Sequence, residues 1–269
     1  MTEWNIQGLN LHVQCLGAEG LAQPAVVFLH GLVMDNLSSW YFTMANPTAR
    51  ERRVLLYDLR GHGRSDRPAS GYDLGSFVAE LDGVIRRADF DAPVVLVGNS
   101  FGGLLALAYA MAHPERVDSL VLIEAHAHVA GWGEEMAATL SLEGEAANHK
   151  IALHFQDWLG RHSARKRNRL ARNARELIQE TSLIADLRRT PPITDTRIAS
   201  VQVPVLALYG EHSDIRERGE ALVAALPQAR LKLFDGCSHS IMWEATARVR
   251  DELLTWLATR PAMVPGGVR

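Results

Sequence analysis

The chain has 269 residues, 47% of them hydrophobic, and its 28 Lys and Arg residues nearly balance 31 Asp and Glu residues for a net charge of -3. This length and apolar content are sufficient for one large α/β domain with an insertion. The near-neutral charge argues against a nucleic-acid partner and against binding to an anionic membrane surface.

The first periodic segment predicts a hairpin, because residues 4–16 carry Gly8 near their middle and fit two antiparallel strands at a sheet edge. Beyond it, apolar runs typical of buried strands alternate with segments of helical character. The strands are predicted at 25–30, 54–57, 94–97 and 117–124, and helices near 38–49 and 76–90. This alternation predicts an α/β fold with right-handed crossovers and a mostly parallel central sheet flanked by helices.

The strand predicted at 94–97 ends in Gly98-Asn99-Ser100-Phe101-Gly102, and a helix rich in alanine and leucine follows at once. Strand, tight turn and helix in this order are the context in which Gly-x-Ser-x-Gly presents a nucleophilic serine. The turn is expected to strain the backbone of Ser100 and to lift its hydroxyl above the sheet edge. Side chains in place of Gly98 and Gly102 would collide with the neighbouring helix and strand.

The strand pattern then disappears between Glu124 and Val203. Amphipathic helices are predicted there from apolar residues at helical spacing, which are Ile151, Phe155, Trp158 and Leu159, and then Leu170, Ala174, Leu177 and Ile178. We expect an α/β core at 1–124 and 203–260, a helical lid insertion at 125–202 and a flexible tail at 261–269. The apolar faces of the insertion either line an acyl-type pocket or pack on the core.

The insertion also carries a run of basic residues with no acidic residue among them, namely Arg161, Arg165, Lys166, Arg167, Arg169, Arg172 and Arg175. Several of them share one helical face. A solvated outer face is one interpretation of this run. The other is a docking site for a phosphate-bearing thioester such as coenzyme A or a carrier-protein arm, because arginine binds phosphate well.

Two later strands are each followed by residues that can activate a serine. The strand predicted at 203–210 precedes Asp214, and the strand predicted at 231–234 precedes His239. The carboxyl ends of parallel strands open on one edge, so we expect His239 beside Ser100 as general base, oriented by Asp214. The alternatives that remain open are His212 for the base and Glu211 or Glu124 for the acid.

Together these motifs resemble the α/β-hydrolase family, and within it the lidded single-domain serine hydrolases, over nearly the whole chain. Besides the elbow, the matching pieces are His30-Gly31, the turn from Asp58 to Asp66, the loop from Gly210 to Asp214, and Gly236-Cys237-Ser238-His239. The resemblance implies an oxyanion hole made by the backbone N–H groups of Leu32 and Phe101. It further implies that His30 supports the loop of Leu32 and that His62 and Asp66 are structural.

The expected function is that of a serine hydrolase that cleaves a carboxylic ester, lactone or thioester through an acyl-enzyme intermediate. Dehalogenases and epoxide hydrolases of this fold carry an aspartate at the elbow, so Ser100 argues against both. A carbon–carbon bond hydrolase or lyase, a cofactor-free perhydrolase and a small-molecule receptor with a retained triad remain alternatives, since one fold hosts many chemistries.

The expected partner is a small-molecule acyl substrate, which includes a coenzyme A or carrier-protein thioester, with no metal and no cofactor. Among the 11 histidines, His126-Ala127-His128 is the close pair, and it lacks companions for a metal site. The two cysteines, Cys15 and Cys237, fit a reducing compartment. A start without a signal-peptide pattern and the lack of a long apolar run favour a cytoplasmic protein.

Overall fold

The computed structural model describes residues 2–21, 23–90, 92–142 and 164–260. It contains an eight-stranded sheet with the strand order β1-β2-β4-β3-β5-β6-β7-β8. The strands are β1 Thr2–Ile6, β2 Leu9–Leu16, β3 Val26–Leu29, β4 Val54–Tyr57, β5 Val94–Asn99, β6 Val117–Ile123, β7 Val205–Gly210 and β8 Ala229–Phe234. Strands β1 and β2 form the predicted antiparallel hairpin at one edge, and the pairings from β4 through β8 are parallel.

The mostly parallel sheet flanked by helices confirms the predicted fold class. Outside the insertion the helices are α1 Ser38–Trp40, α2 Asn46–Thr48, α3 Leu74–Arg87, α4 Phe101–Ala112, α9 Arg216–Ala225, α10 Ile241–Glu244 and α11 Thr246–Ala258. The helix predicted near 38–49 is interrupted, because a π-helical segment, Tyr41–Ala45, separates α1 from α2. Pro47 lacks an N–H group and cannot make the next regular helical hydrogen bond, which favours such a break.

Both faces of the sheet are buried. In β5, Leu96 belongs to one hydrophobic cluster, while Val95 and Val97 belong to the cluster on the opposite face, and all three are fully buried. Successive side chains of a strand point to opposite faces, so a strand covered on both sides reads as an unbroken apolar run. The carboxyl ends of the parallel strands are thereby held rigidly at one edge of the sheet.

Between β6 and β7 the described residues form helices, which are α5 Trp132–Leu140, α6 Ala164–Gln179, α7 Leu183–Arg189 and α8 Asp195–Ala199. In α6 the predicted apolar positions Leu170, Ala174 and Leu177 are buried. Two backbone-directed contacts join this region to the core: the N–H of Ser182 donates to the Ala69 carbonyl at 2.8 Å, and the N–H of Tyr72 donates to the Asp186 carboxylate at 2.9 Å.

Some sequence predictions fall outside the described residues. These are the amphipathic set Ile151, Phe155, Trp158 and Leu159, the basic residue Arg161, and the tail at 261–269. Across the ranges that the structure does describe, no helix has the combined length and apolarity that a bilayer span requires.

Candidate active site

Ser100 occupies the junction between β5 and α4 with a backbone φ of 51° and ψ of -118°. A positive φ is unfavourable for any residue with a Cβ and persists only where surrounding contacts enforce it. Here the N–H of Ser100 donates to the Ile123 carbonyl at 2.8 Å, and its own carbonyl accepts from the N–H of Gly103 at 2.9 Å. The strained turn places Ser100 beside the end of β6.

The two glycines of the elbow allow the helix and strands to approach closely. A Cβ at Gly98 would lie 2.2 Å from the carbonyl oxygen of Gly102, and a Cβ at Gly102 would lie 2.1 Å from that of Leu29. Both distances are far below van der Waals contact with backbone atoms that cannot move aside. The turn can therefore form only if both positions lack a side chain.

His239 lies in the loop after β8 and its side chain is 22% exposed. Its Nδ1 atom is 3.2 Å from Oε2 of Glu124 and 3.8 Å from Oδ1 of Asp214. The loop approaches the end of β7 closely, since a Cβ at Gly210 would lie 2.3 Å from the Ser238 carbonyl oxygen. Nδ1 of the imidazole thus faces the carboxylates of Glu124 and Asp214.

Glu124 directly follows β6 and is completely buried, with a positive φ of 50°. Its carboxylate accepts hydrogen bonds from the N–H of Gly210 at 2.5 Å and from the Ser213 hydroxyl at 2.6 Å. A buried carboxylate is tolerated when its oxygens are satisfied in this way. Together with the His239 contact, these bonds fix the Glu124 side chain at the edge where Ser100 lies.

The other acidic candidates are more exposed. Asp214, the residue that the sequence favoured as the acid, is 55% exposed, and Glu211 is 44% exposed and accepts from the N–H of Gly236 at 3.0 Å. The rival base His212 is 68% exposed, with Nε2 3.9 Å from Glu211. The geometry therefore differs from the sequence-based preference: Glu124 is nearer to His239 than Asp214 is, since the Gly210 N–H and the Ser213 hydroxyl hold its carboxylate at the end of β7.

The protonation of His239 depends on these neighbours. Burial by itself lowers the pKa of a histidine, but here the hydrogen bond and charge of Glu124, followed by the charges of Asp214 and Glu244, raise the pKa of His239 above 6.5. An opposite charge within a few ångströms stabilises the protonated ring more than desolvation disfavours it. The neighbouring carboxylates therefore stabilise the imidazolium that forms when the ring accepts a proton.

The two expected oxyanion donors lie on opposite sides of Ser100 in the chain. The N–H of Phe101 is in the first turn of α4, where helical N–H groups have no partner within the helix. On the loop after β3, the N–H of Gly31 donates to the Asp35 carboxylate at 2.9 Å, directly before Leu32. Asp66, expected to be structural, accepts from the N–H of Asn10 at 2.8 Å.

The histidine pair after β6 is engaged with an aromatic ring. The indole N–H of Trp132 donates to Nε2 of His126 at 3.0 Å, and the ring of His128 stacks on Trp132 with centroids 3.9 Å apart. Burial lowers the pKa of His128 to about 3. Among the residues that the structure describes, His, Cys, Asp and Glu side chains form no cluster of three or more that could bind a metal ion.

The architecture and the elbow are those of the α/β-hydrolase fold, and the sequence model of that family matches residues 24–179. The match covers more than half of the chain, and the chain therefore belongs to the α/β-hydrolase fold family. The solved enol-lactonase from Burkholderia xenovorans LB400 has the same fold. It superimposes with a TM-score of 0.76 at 22% identity, over 96% of this chain and 100% of that one.

Curated relatives resemble the chain over different lengths. The 2-hydroxy-6-oxononadienedioate/2-hydroxy-6-oxononatrienedioate hydrolase of Cupriavidus pinatubonensis is 29% identical over 84% of this chain and 83% of its own. The 2-hydroxy-6-oxo-2,4-heptadienoate hydrolase of Pseudomonas putida is 41% identical, but over 39% of this chain and 38% of its own. With four other curated relatives the match spans only 29% to 38% of their length.

Proposed function

We propose that this protein is a serine hydrolase that cleaves an ester-type bond, in an ester, lactone or thioester, through an acyl-enzyme intermediate. The observation that carries the proposal is the strained Ser100 at the strand-to-helix turn, hydrogen-bonded to the residue before a buried Glu124 whose carboxylate lies 3.2 Å from His239. Ser100 as nucleophile, His239 as base and Glu124 as acid supply the three groups that acyl transfer requires.

In the proposed mechanism His239 Nε2 takes the proton from the Ser100 hydroxyl as Oγ bonds to the substrate carbonyl carbon. The carbonyl oxygen becomes an oxyanion and accepts hydrogen bonds from the N–H groups of Leu32 and Phe101. The tetrahedral intermediate collapses, and the leaving group departs with the proton from His239. A water molecule, deprotonated by the same ring, then attacks the acyl carbon, and the second tetrahedral intermediate collapses to the acid as His239 returns the proton to Ser100 Oγ.

We assign the orienting acid to Glu124 and give Asp214 a secondary electrostatic role. The shorter distance to Nδ1 and the complete burial of Glu124 support this order, because an interaction out of water is screened less than one at an exposed carboxylate. Hydrogen bonds from Gly210 and Ser213 orient the carboxylate toward the ring. Glu124 thus fixes the tautomer of His239 with the proton on Nδ1 and the lone pair on Nε2.

We expect Glu124→Gln to lower kcat on a saturating ester by about 10²- to 10⁴-fold, since a neutral amide no longer stabilises the imidazolium. Asp214→Asn should lower kcat much less than Glu124→Gln does. Both changes remove a negative charge near His239, so the rise of kcat/KM should move to lower pH in each variant, further in Glu124→Gln. The rates and pH profiles of both variants check this.

Glu211→Gln is the matched control, because the Glu211 side chain is 44% exposed and accepts a hydrogen bond from the N–H of Gly236. Its kcat should stay within about twofold of the wild type, as for surface changes away from a site. If Asp214→Asn collapses while Glu124→Gln keeps most of its rate, the acid is Asp214, as the sequence pattern favoured.

The helices between β6 and β7 are proposed to be a lid over this site. Their attachment to the core loop near Tyr72 and the buried face of α6 support a folded cover, and not a loose linker. The exposed arginines of α6, which include Arg165, Arg169, Arg172 and Arg175, support a phosphate-bearing thioester as one substrate class. A solvated outer face explains the same exposure.

Hydrolysis of a carbon–carbon bond is the second candidate. It is favoured by the relative from Cupriavidus pinatubonensis, which matches along most of both chains and is named as a hydrolase of a 2-hydroxy-6-oxo diacid. The same serine, base and oxyanion donors can serve such a reaction, so the elbow does not separate the two chemistries. The separation must come from substrate turnover.

A substrate panel tests the proposed function. We expect esters, lactones or acyl thioesters of graded acyl length to give kcat/KM in the range of about 10⁴ M⁻¹s⁻¹ or higher for a well-matched substrate. A 2-hydroxy-6-oxo dienoate, followed by loss of its conjugated absorbance, represents the carbon–carbon class. Higher kcat/KM for the dienoate than for every ester-type compound would overturn the assignment to ester-type bonds.

A salt titration tests whether the exposed arginines of α6 bind the phosphate groups of a thioester substrate. If they do, added salt should raise KM for acyl-coenzyme A more than KM for a neutral ester.

A further inference from the structure

The loop that carries Leu32 has a strained backbone. Val33 has a φ of 68°, and the Leu32 carbonyl accepts a hydrogen bond from the N–H of Met34 at 2.9 Å. A hydrogen bond between residues i and i+2 around a positive φ defines the rare form of the γ-turn. Since β-branched residues strongly disfavour positive φ, contacts around Val33 must enforce this turn.

His30 fixes the peptide group that contains the Leu32 N–H. Its Nε2 accepts from the N–H of Leu59 at 3.0 Å, so Nδ1 carries the proton and donates to the Gly31 carbonyl at 2.7 Å. That carbonyl and the Leu32 N–H belong to one planar trans peptide and point in opposite directions. By fixing the oxygen, His30 fixes the direction of the N–H.

His62 fixes the following peptide group. Its Nε2 accepts from the N–H of Val33 at 2.7 Å, and Nδ1 therefore carries the proton and donates to the Arg60 carbonyl at 2.8 Å. The ring is only 3% exposed, and burial lowers the pKa of His62 to about 3. His62 is thus neutral at physiological pH, and Nε2 remains an acceptor.

We propose that His62 is a positioning residue for the oxyanion hole: by holding the peptide group after Leu32 through Val33, while His30 holds the one before it, His62 keeps the Leu32 N–H in the direction that the tetrahedral intermediate requires. This inference rests on the proposed function, and it extends the structural role that the sequence implied for His62. Oxyanion donors act because they are fixed before charge develops, and a misplacement of about 1 Å can cost about 10²-fold in rate. The hydrogen bond joins residues 29 positions apart in the chain, so it couples the turn at Asp58–Asp66 to the loop at Leu32.

A pair of variants separates the acceptor from the bulk of the ring. In His62→Gln the amide reaches the former position of Nε2 and can accept from the Val33 N–H, whereas in His62→Asn it reaches only that of Nδ1. We expect His62→Asn to lower kcat for an ester by about 10- to 100-fold per fluorophosphonate-titrated site, with KM within about twofold. His62→Gln should recover most of the rate. The affinity of a boronic acid inhibitor should fall with kcat in His62→Asn.

His113→Asn is the control, since His113 follows α4 at the end opposite Ser100. The His113→Asn variant should have the same kcat and the same KM as the wild type. An unchanged kcat per titrated site in His62→Asn, or an equal loss in His62→Gln, would overturn the positioning role. Wild-type protein without turnover on the panel would instead defeat the proposed function itself.

If His62→Asn does not fold, Val33→Gly tests the same loop. Glycine adopts a positive φ without strain but also populates other conformations, so the direction of the Leu32 N–H is less fixed. We expect a lower kcat per titrated site in this variant with KM within about twofold. A kcat equal to that of the wild type would contradict the role of this turn in positioning the donor.

Discussion

Replacing Ser100 by alanine is expected to lower kcat on an activated ester by about a thousandfold or more while the protein stays folded. The loss follows because no other group can form the acyl-enzyme, and oxyanion donors and binding alone leave only a small residual rate. The hydroxyl is absent from alanine, but the backbone contacts to Ile123 and Gly103 that stabilise the turn remain. Steady-state kinetics and a thermal melt on the same preparation measure both parts of this expectation.

The matched control is Ser200→Ala, because Ser200 is exposed and its hydroxyl donates only to the nearby Arg197 carbonyl. Its kcat should remain within about twofold of the wild-type value. Fluorophosphonate should label the wild type and Ser200→Ala but not Ser100→Ala. Labelling that persists in Ser100→Ala would place the nucleophile elsewhere.

Replacing His239 by glutamine should lower kcat about as much as Ser100→Ala does, since nucleophile and base act as one unit. The wild-type kcat/KM should rise with pH as His239 loses its proton, because only the neutral ring can accept the serine proton. Glu124 and Asp214 raise the pKa of His239, so the midpoint of this rise should lie above 6.5. In His239→Gln the rise should vanish together with the rate.

His212→Gln is the control for this experiment. The His212 ring is 68% exposed, and its Nε2 lies 3.9 Å from the Glu211 carboxylate. Its pH profile should therefore match the wild type in both midpoint and plateau. If the rise of kcat/KM with pH is lost in His212→Gln and kept in His239→Gln, the general base is His212 and not His239.

The local hydrophobic pattern predicted the ends of the strands to within about two residues. The differences between predicted and observed ends have local causes. The strand expected at 25–30 is Val26–Leu29, and the one expected at 203–210 begins only at Val205. Pro204 has no N–H to donate to the sheet, so regular pairing begins after it. The π-helical segment Tyr41–Ala45 could not be predicted from the sequence, because hydrophobic spacing does not distinguish α-helical from π-helical hydrogen bonding.

The sequence alone determined the parallel sheet and the elbow around Ser100, because both depend on neighbouring residues: buried runs on one strand, and glycines where backbones must approach. It also placed the acidic candidates at strand ends and favoured Asp214, whereas the structure places Glu124 nearer to His239. That difference depends on contacts between strands, because the Gly210 N–H at the end of β7 and the Ser213 hydroxyl hold the carboxylate of Glu124 near Nδ1 of His239. Only the tertiary structure could decide it, and likewise the bond between His62 and Val33, since contacts between residues distant in the chain leave no periodic trace in the sequence.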